Sequence, residues 1–245
     1  SKRIQESLLP LDSYMGEYLN IGYFYQPKDI VSGDFYWFRR TPKYCFIAAV
    51  DCTGHGVPGA FMSFIGSSML DEIVLQNEEL DPVEILYLLD EKVNRVLNQH
   101  SFKGERNMDG MDVAICKFDL KSKIAMVSGA GRPILIYSNG EIIKIKNSIY
   151  SIGGSYQDEG ADKKFILTER TILPGDDYFI FSDGFADQNG GPQNKKYSSS
   201  RLTNYLKEIA TLDHVEQALW MREEFDLWKG KNHQVDDILL MSIKF

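Results

Sequence analysis

The stretch that decides the fold is AAVDCTGHGVPGAFMS, residues 48–63. An apolar run ends there on an acid, Asp51. A turn containing Gly54 and Gly56 follows, and from Pro58 the pattern is helical to about Gln76. YCFIAAV (44–50) is a short continuous apolar run, the pattern of a buried strand. A buried strand that ends on a carboxylate raises the question of what that carboxylate holds. In the helix, Gly59, Ser63, Gly66 and Ser67 put small residues on one face, where another backbone can come close.

Upstream, residues 21–28 and 33–40 are rich in Tyr, Phe and Trp and read as strands around a turn at Lys28–Gly33. Downstream, DPVEILYLLDEKVNRVLNQ, from Asp81, is an amphipathic helix. Asp81 caps it, Pro82 takes its first position, and Leu86, Leu89, Val93, Val96 and Leu97 form the stripe. Strands are expected at 111–118, 123–129, 133–138 and 141–146, with SNG (138–140) as a hairpin turn. A loop runs through GGSYQDEGADKK, and strands follow near 164–171 and 177–182. Two helices come next. The second opens on DHVE, an acid cap with a glutamate three residues on. Its face carries Ala218, Met221, Phe225 and Trp228. DDILLMSIKF closes the chain as a strand. Helices do not alternate with strands, so the order predicts an α+β fold: two antiparallel sheets with helices outside. There is no internal repeat and no low-complexity segment, which favours one domain.

The 245 residues are 43% hydrophobic and 25% charged, enough for a sizeable core. The net charge of −8 argues against nucleic-acid binding. Acids gathered in one site would then need a cation. Three widely spaced cysteines, Cys45, Cys52 and Cys116, form no disulfide framework, so a reducing, cytoplasmic setting is expected. No run is long and apolar enough to span a bilayer, and no signal peptide is evident. SKRIQESLLP reads as a helix closed by Pro10. Residues 1–10 are therefore expected to be the end of an N-terminal linker helix, and 11–245 the folded domain. Ile4 and Leu8 would face an upstream segment or a partner, unless the helix merely frays on the domain surface.

Four acids stand at element boundaries. Asp34 lies in VSGDFYW, Asp51 ends its strand, Asp183 lies in YFIFSDGFADQ, and Asp236 begins the last strand in QVDDILLMS. Alone, each reads as a turn or helix cap. Together they could meet at one end of two sheets, where clustered carboxylates must protonate, separate or bind a cation. Oxygen donors with few histidines suit magnesium or manganese rather than zinc. Adjacent Asp237 leaves open which acid of the pair points inward.

VSGDFYWF, VDCTGHGVPGAFMS, FSDGFADQ and QVDDILLMSIKF resemble the signature segments of the SpoIIE/RsbU-type serine phosphatases. These belong to the metal-dependent (PPM, type 2C-like) protein phosphatase superfamily, and the resemblance runs from about Ile4 to Phe245. It implies a four-layer α-β-β-α sandwich over 11–245. It also implies a reaction on phosphoserine or phosphothreonine in which metals activate water and no side chain is the nucleophile. Asp51 would bridge two divalent cations, Mn or Mg. Asp183 and Asp236 would complete one site, and Asp34 and the backbone carbonyl of Cys52 the other. Asp237, His55, Arg132 and Asp112 are further candidates for phosphate binding or for supporting the metal ligands. Arg132 also reads as a surface arginine before a proline, and His55 as a turn histidine packed under the loop. Many type 2C relatives place an aspartate of a third metal site where Ala130 stands here, in SGAGRP. IQESLLP resembles the linker helix that joins such domains to an upstream sensory or receiver module. By analogy the substrate is a STAS-type anti-sigma-factor antagonist, and a homodimer stays open. Two rivals remain: a catalytically silent phosphatase fold that binds a partner, and a hydrolase of small phosphoesters.

Overall fold

The computed structural model describes residues 2–98, 109–154 and 164–245. Short helices α1 (Lys2–Glu6) and α2 (Asp12–Gly16) lead into strands β1 (Asn20–Gln26), β2 (Asp34–Arg40) and β3 (Cys45–Cys52). Helices α3 (Gly56–Gln76) and α4 (Pro82–Asn98) follow. Then come β4 (Gly110–Asp119), β5 (Ile124–Ala130), β6 (Ile134–Ser138), β7 (Glu141–Lys144), β8 (Ile152–Gly153), β9 (Thr168–Thr171) and β10 (Asp177–Phe181). A one-turn helix, α5 (Gly184–Asp187), precedes the small hairpin β11 (Asn189–Gly190) and β12 (Lys195–Lys196). Helices α6 (Ser199–Ile209) and α7 (His214–Lys229) and strand β13 (Ile238–Lys244) complete the chain.

The long strands form two antiparallel sheets. One has the order β1-β13-β10-β6-β7 and the other β2-β3-β4-β5-β9, with β8 paired to β4. Side chains alternate along each strand, so one set faces the gap between the sheets and the other faces helices. Tyr36, Phe38, Ile47, Ala49, Ala114 and Cys116 meet Tyr178, Ile180, Leu239 and Met241 in the gap. The opposite face of β3 and β4 packs Phe46 and Ile115 against Ile73 and Val74 of α3 and Leu86 and Leu89 of α4. Phe24, Phe179 and Leu240 pack on Leu202 and Leu206 of α6 and Met221 and Phe225 of α7. The fold is therefore the expected α+β sandwich of four layers, α-β-β-α.

Local signals explain several of its joints. Asn139 and Gly140 both have positive φ, the backbone that a two-residue hairpin requires. α4 is capped reciprocally: Asp81 accepts from the N–H groups of Val83 and Glu84, and Glu84 accepts from that of Asp81. The Asp213 and Glu216 capping box opens α7.

Other expectations need correction. β1 and β2 flank one turn but belong to different sheets, because β1 pairs with β13 and β2 with β3. Val96 of α4 is 41% exposed, and Ile85 takes its place in the core. The two helices expected directly after the strand near 177–182 are preceded by α5 and by the hairpin β11 and β12, where Gly190 and Gly191 lie against Trp228. β8 takes Ile152 and Gly153 out of the expected loop, whose residues 155–163 lie outside the described residues, as does Gln99. Among the described residues no helix is long and apolar enough to cross a membrane.

Candidate metal centre

The register of the second sheet sets three acids in a row. Asp34 on β2 lies opposite Asp51 on β3, and Asp51 lies opposite Asp112 on β4. Each shares a strand face with residues of the inter-sheet core: Tyr36 and Phe38, Ile47 and Ala49, Ala114 and Cys116. All three carboxylates therefore belong to the inner face at one end of the sandwich. Directly opposed residues have Cβ atoms about 5 Å apart, so three charges in this row repel one another.

The first sheet brings the remaining acids to the same end. Asp183 follows β10 and Asp236 precedes β13. Both are close enough for their charges to act on Asp51. Burial, against the attraction of Arg132, pushes the Asp51 carboxyl up to about 7, with Asp183, Asp112 and Asp236 adding to the rise. Asp34 is 3% exposed, and its Oδ2 has no hydrogen-bond partner. Burial first, and then the charge of Asp51, hold its carboxyl well above the usual range. Asp236 is also raised, chiefly by burial.

Arg132, read from sequence as a surface residue, reaches into this cluster from the turn between β5 and β6. Its Nη2 lies 2.5 Å from Asp51 Oδ2 and 2.9 Å from Asp183 Oδ2. Its Nε lies 3.2 Å from Asp112 Oδ2, without the alignment of a hydrogen bond. The side chain is only 15% exposed. Burial works against its charge, but Asp51, Asp183 and Asp112 more than offset that and raise its pKa. The turn is built for this contact. Gly131 has φ +72°, and a Cβ there would lie 2.1 Å from Asp112 Oδ1. Ser151 Oγ donates to the same Asp112 oxygen. In the sequence, only the glycine just before the arginine hints at a tight approach here.

The other candidates have different parts. Asp237 is 2% exposed; its Oδ1 accepts from the Lys28 N–H and its Oδ2 from the Gly33 N–H, each at 2.7 Å. It pins the loop that delivers Asp34. Asp236 is the exposed member of the pair. A Cβ on Gly33 would sit 2.5 Å from the Gly54 carbonyl oxygen and 3.2 Å from that of Cys52. Only glycine lets this loop lie so close, and the approach sets the Cys52 carbonyl beside the start of β2. The Cys52 thiol is buried and its pKa is driven up by burial, so its chemistry is inert. His55 is not packed under the loop. Its side chain is 52% exposed, with Nδ1 2.7 Å from Asp29 Oδ2. Ala130 packs into the helix-facing core, away from the acids.

Sequence reading passed over Gln5. In α1, Ile4 is 66% exposed, whereas Gln5 turns inward. Its Nε2 donates to Ser32 O at 2.6 Å and Ser63 Oγ at 3.1 Å, and its Oε1 accepts from the Ser32 N–H at 2.9 Å. Ser32 Oγ in turn accepts from the Asp34 N–H at 3.0 Å.

These residues suit a hard divalent cation. The donors are carboxylate and carbonyl oxygens, one buried carboxylate oxygen lacks a partner, and glycines open the backbone beside it. As they stand, among the described residues no three acidic, histidine or cysteine side chains are gathered closely enough to enclose an ion. The guanidinium of Arg132 holds two of the acids instead.

Comparison with known proteins adds to this geometry. The family Stage II sporulation protein E (SpoIIE) matches residues 41–245, a span that includes Asp51, Asp183 and Asp236 but not Asp34. No curated protein matches in sequence. The SiaA-PP2C domain of Pseudomonas aeruginosa superposes with a TM-score of 0.87 at 28% identity, covering 100% of this chain and 94% of that one. The PP2C phosphatase domain of SpoIIE from Bacillus subtilis, solved with a fragment of its regulatory domain, gives 0.70 at 20% identity, covering 92% and 61%. RsbX in complex with magnesium gives 0.57 at 12% identity, covering 90% and 92%, a likeness of fold alone. Most of the sequence and the whole of the two-sheet frame thus agree on one kinship: this chain belongs to the SpoIIE family, and its fold is that of the PP2C-type phosphatase domains.

Proposed function

We propose that this chain is a metal-dependent protein serine/threonine phosphatase. The observation that carries the reading is the row Asp34, Asp51 and Asp112 on one sheet facing Asp183 and Asp236 from the other. Asp51 is the central ligand. Asp183 and Asp236 would hold one divalent cation with it, and Asp34 and the Cys52 carbonyl would hold a second. When bound, such cations lower the pKa of an attacking water and offset charge on phosphoryl oxygens. The chain's own contribution is to aim the carboxylates from rigid strand ends and to keep Asp34 out of bulk water. The magnesium held by RsbX supports a hard cation, manganese or magnesium.

The substrate class follows from kinship with phosphatase domains of signalling proteins: a phosphorylated protein, with a STAS-type regulator as the first candidate. An upstream regulatory module would act through α1 and the turn that leads from it to Pro10. Phosphate release from a phosphoserine peptide tests the reading, run with manganese, with chelator, and with Asp183→Ala. Release that requires manganese and disappears in the variant is expected. Release that survives both treatments would sink the mechanism. The grip of Arg132 on Asp51 and Asp183 favours one rival, a silent binding module, and the absence of release from folded, manganese-loaded protein would leave either that module or an autoinhibited domain.

A further inference from the structure

We propose that Arg132 is a resident counter-ion of the acid cluster, and that a divalent cation must displace its guanidinium from Asp51 and Asp183 in order to bind. The inference rests on the metal-centre reading above and adds a property to it. Metal affinity is set by an exchange of cations and not by filling of a waiting cage.

The contacts make the two cations mutually exclusive. One nitrogen, Nη2, is bonded to Oδ2 of Asp51 and to Oδ2 of Asp183. These carboxylates come from different sheets, and both are ligands in the proposed centre. A divalent ion between them would meet the guanidinium at contact distance, where like charges in a partly buried site repel strongly. The guanidinium is also no chance visitor. The side chain is 15% exposed, Nε rests 3.2 Å from Asp112 Oδ2, and Asp112 fills the space where a residue larger than glycine at 131 would put its Cβ. Pro133 restricts the backbone of Arg132 from the other side. The arm is therefore anchored at Asp112 and engaged at its tip with Asp51 and Asp183.

The arrangement has a use. Without a cation, five acids at one end of the sandwich would repel one another and push the sheets apart. Arg132 neutralises part of that charge, so the metal-free protein keeps its ligands near their working positions. The cost is a weaker apparent affinity, because a cation entering between Asp51 and Asp183 must first break two charge-assisted contacts.

Calorimetric titration of manganese into the wild type, Arg132→Gln, Arg132→Lys and Asp51→Asn tests the proposal, together with melting in chelator. Arg132→Gln should bind manganese about tenfold more tightly, within the usual 5–150-fold range of coupled sites. It should also melt below the wild type in chelator, with the gap closing at saturating manganese. Arg132→Lys, which keeps the charge on a shorter arm and loses the Nε that rests on Asp112, should fall between the two. Equal or weaker manganese binding by Arg132→Gln, with binding still dependent on Asp51, overturns the proposal and leaves the metal centre standing. Loss of all Asp51-dependent binding overturns both. If Arg132→Gln does not fold, the side-chain nitrogen resonances of Arg132 in the wild type decide the matter. Saturation with diamagnetic magnesium must move them, and unchanged resonances overturn the exchange.

Discussion

Asp236 and Asp237 are neighbours in sequence with opposite predicted signatures when removed. Asp237 accepts two backbone N–H groups, from Lys28 and Gly33, at 2.7 Å each, and is 2% exposed. A hydrogen bond to a charged group contributes about 1.5–3 kcal/mol, and a buried donor left unpaired costs a similar amount. Asp237→Ala strips both, so the loss should be roughly 4 kcal/mol. For a domain of this size that lowers the melting temperature by about 10 °C. Asp236 keeps much of its surface in water, and its carboxyl is raised by partial burial and by the like charges of Asp183 and Asp237. Asp236→Ala relieves that repulsion and should leave metal-free stability within about 0.5 kcal/mol of the wild type. Manganese binding should reverse the ranking: lost or severely weakened in Asp236→Ala, and weakened in Asp237→Ala only as far as the Lys28–Gly33 loop loosens. Thermal unfolding by circular dichroism in chelator, paired with calorimetric manganese titration, reads both quantities. A large metal-free destabilisation by Asp236→Ala, or wild-type stability in Asp237→Ala, would refute the division of labour drawn here.

Three further predictions follow from the same contacts. Metal-free stability should fall as pH rises from about 4 to 7, because Asp34, Asp51 and Asp236 keep protons in the folded state that the unfolded chain has already released. For Asp51, raised from 3.8 to about 7, the loss is on the order of 4 kcal/mol by pH 7; manganese should restore it, and a flat or rising melting temperature over that window refutes the assignment. Lys117, 2% exposed, donates from Nζ to the carbonyls of Glu78, Glu79 and Leu80 at 2.9 Å each. Lys117→Met should cost about 3 kcal/mol in urea unfolding, through three orphaned carbonyls, with manganese affinity unchanged. Gly131→Ala should cost at least about 2 kcal/mol, since alanine strains the left-handed backbone and its Cβ would strike Asp112; wild-type stability would show that the turn can shift freely.

Where the controlling forces are local, the sequence was readable. The apolar run before Asp51, the SNG turn and the DHVE cap each carry their cause within a few residues, and β3, the β6–β7 hairpin and the start of α7 follow. The α+β class came from element order, and the inward row of acids from strand alternation once the register is known. What escaped is non-local. The turn at Lys28–Gly33 looks like a hairpin, yet it is held by Asp237, some two hundred residues away, and it passes between sheets. The same distant bonds separate Asp237 from Asp236, which sequence could not do. Arg132 precedes a proline on a turn, the address of a surface residue, and only the approach of β3, β4 and the end of β10 makes it interior. Lys117 breaks the apolar face of β4 because the loop after α3 needs a donor, a need written nowhere near it in the chain.

The pairing of β1 with β13 has a consequence for biosynthesis. β13 lies between β1 and β10, so residues 20–26 have no strand partner until residues 238–244 have been made. Asp236 and Asp237 arrive with that final strand. A nascent chain on the ribosome can therefore hold the second sheet with α3 and α4 while the first sheet stays open along its middle, its apolar face uncovered. A chain cut short before Asp236 would carry Asp34, Asp51 and Asp112 with only Asp183 to face them. Activity would then appear only once residues 236–244 have been made, and not by degrees.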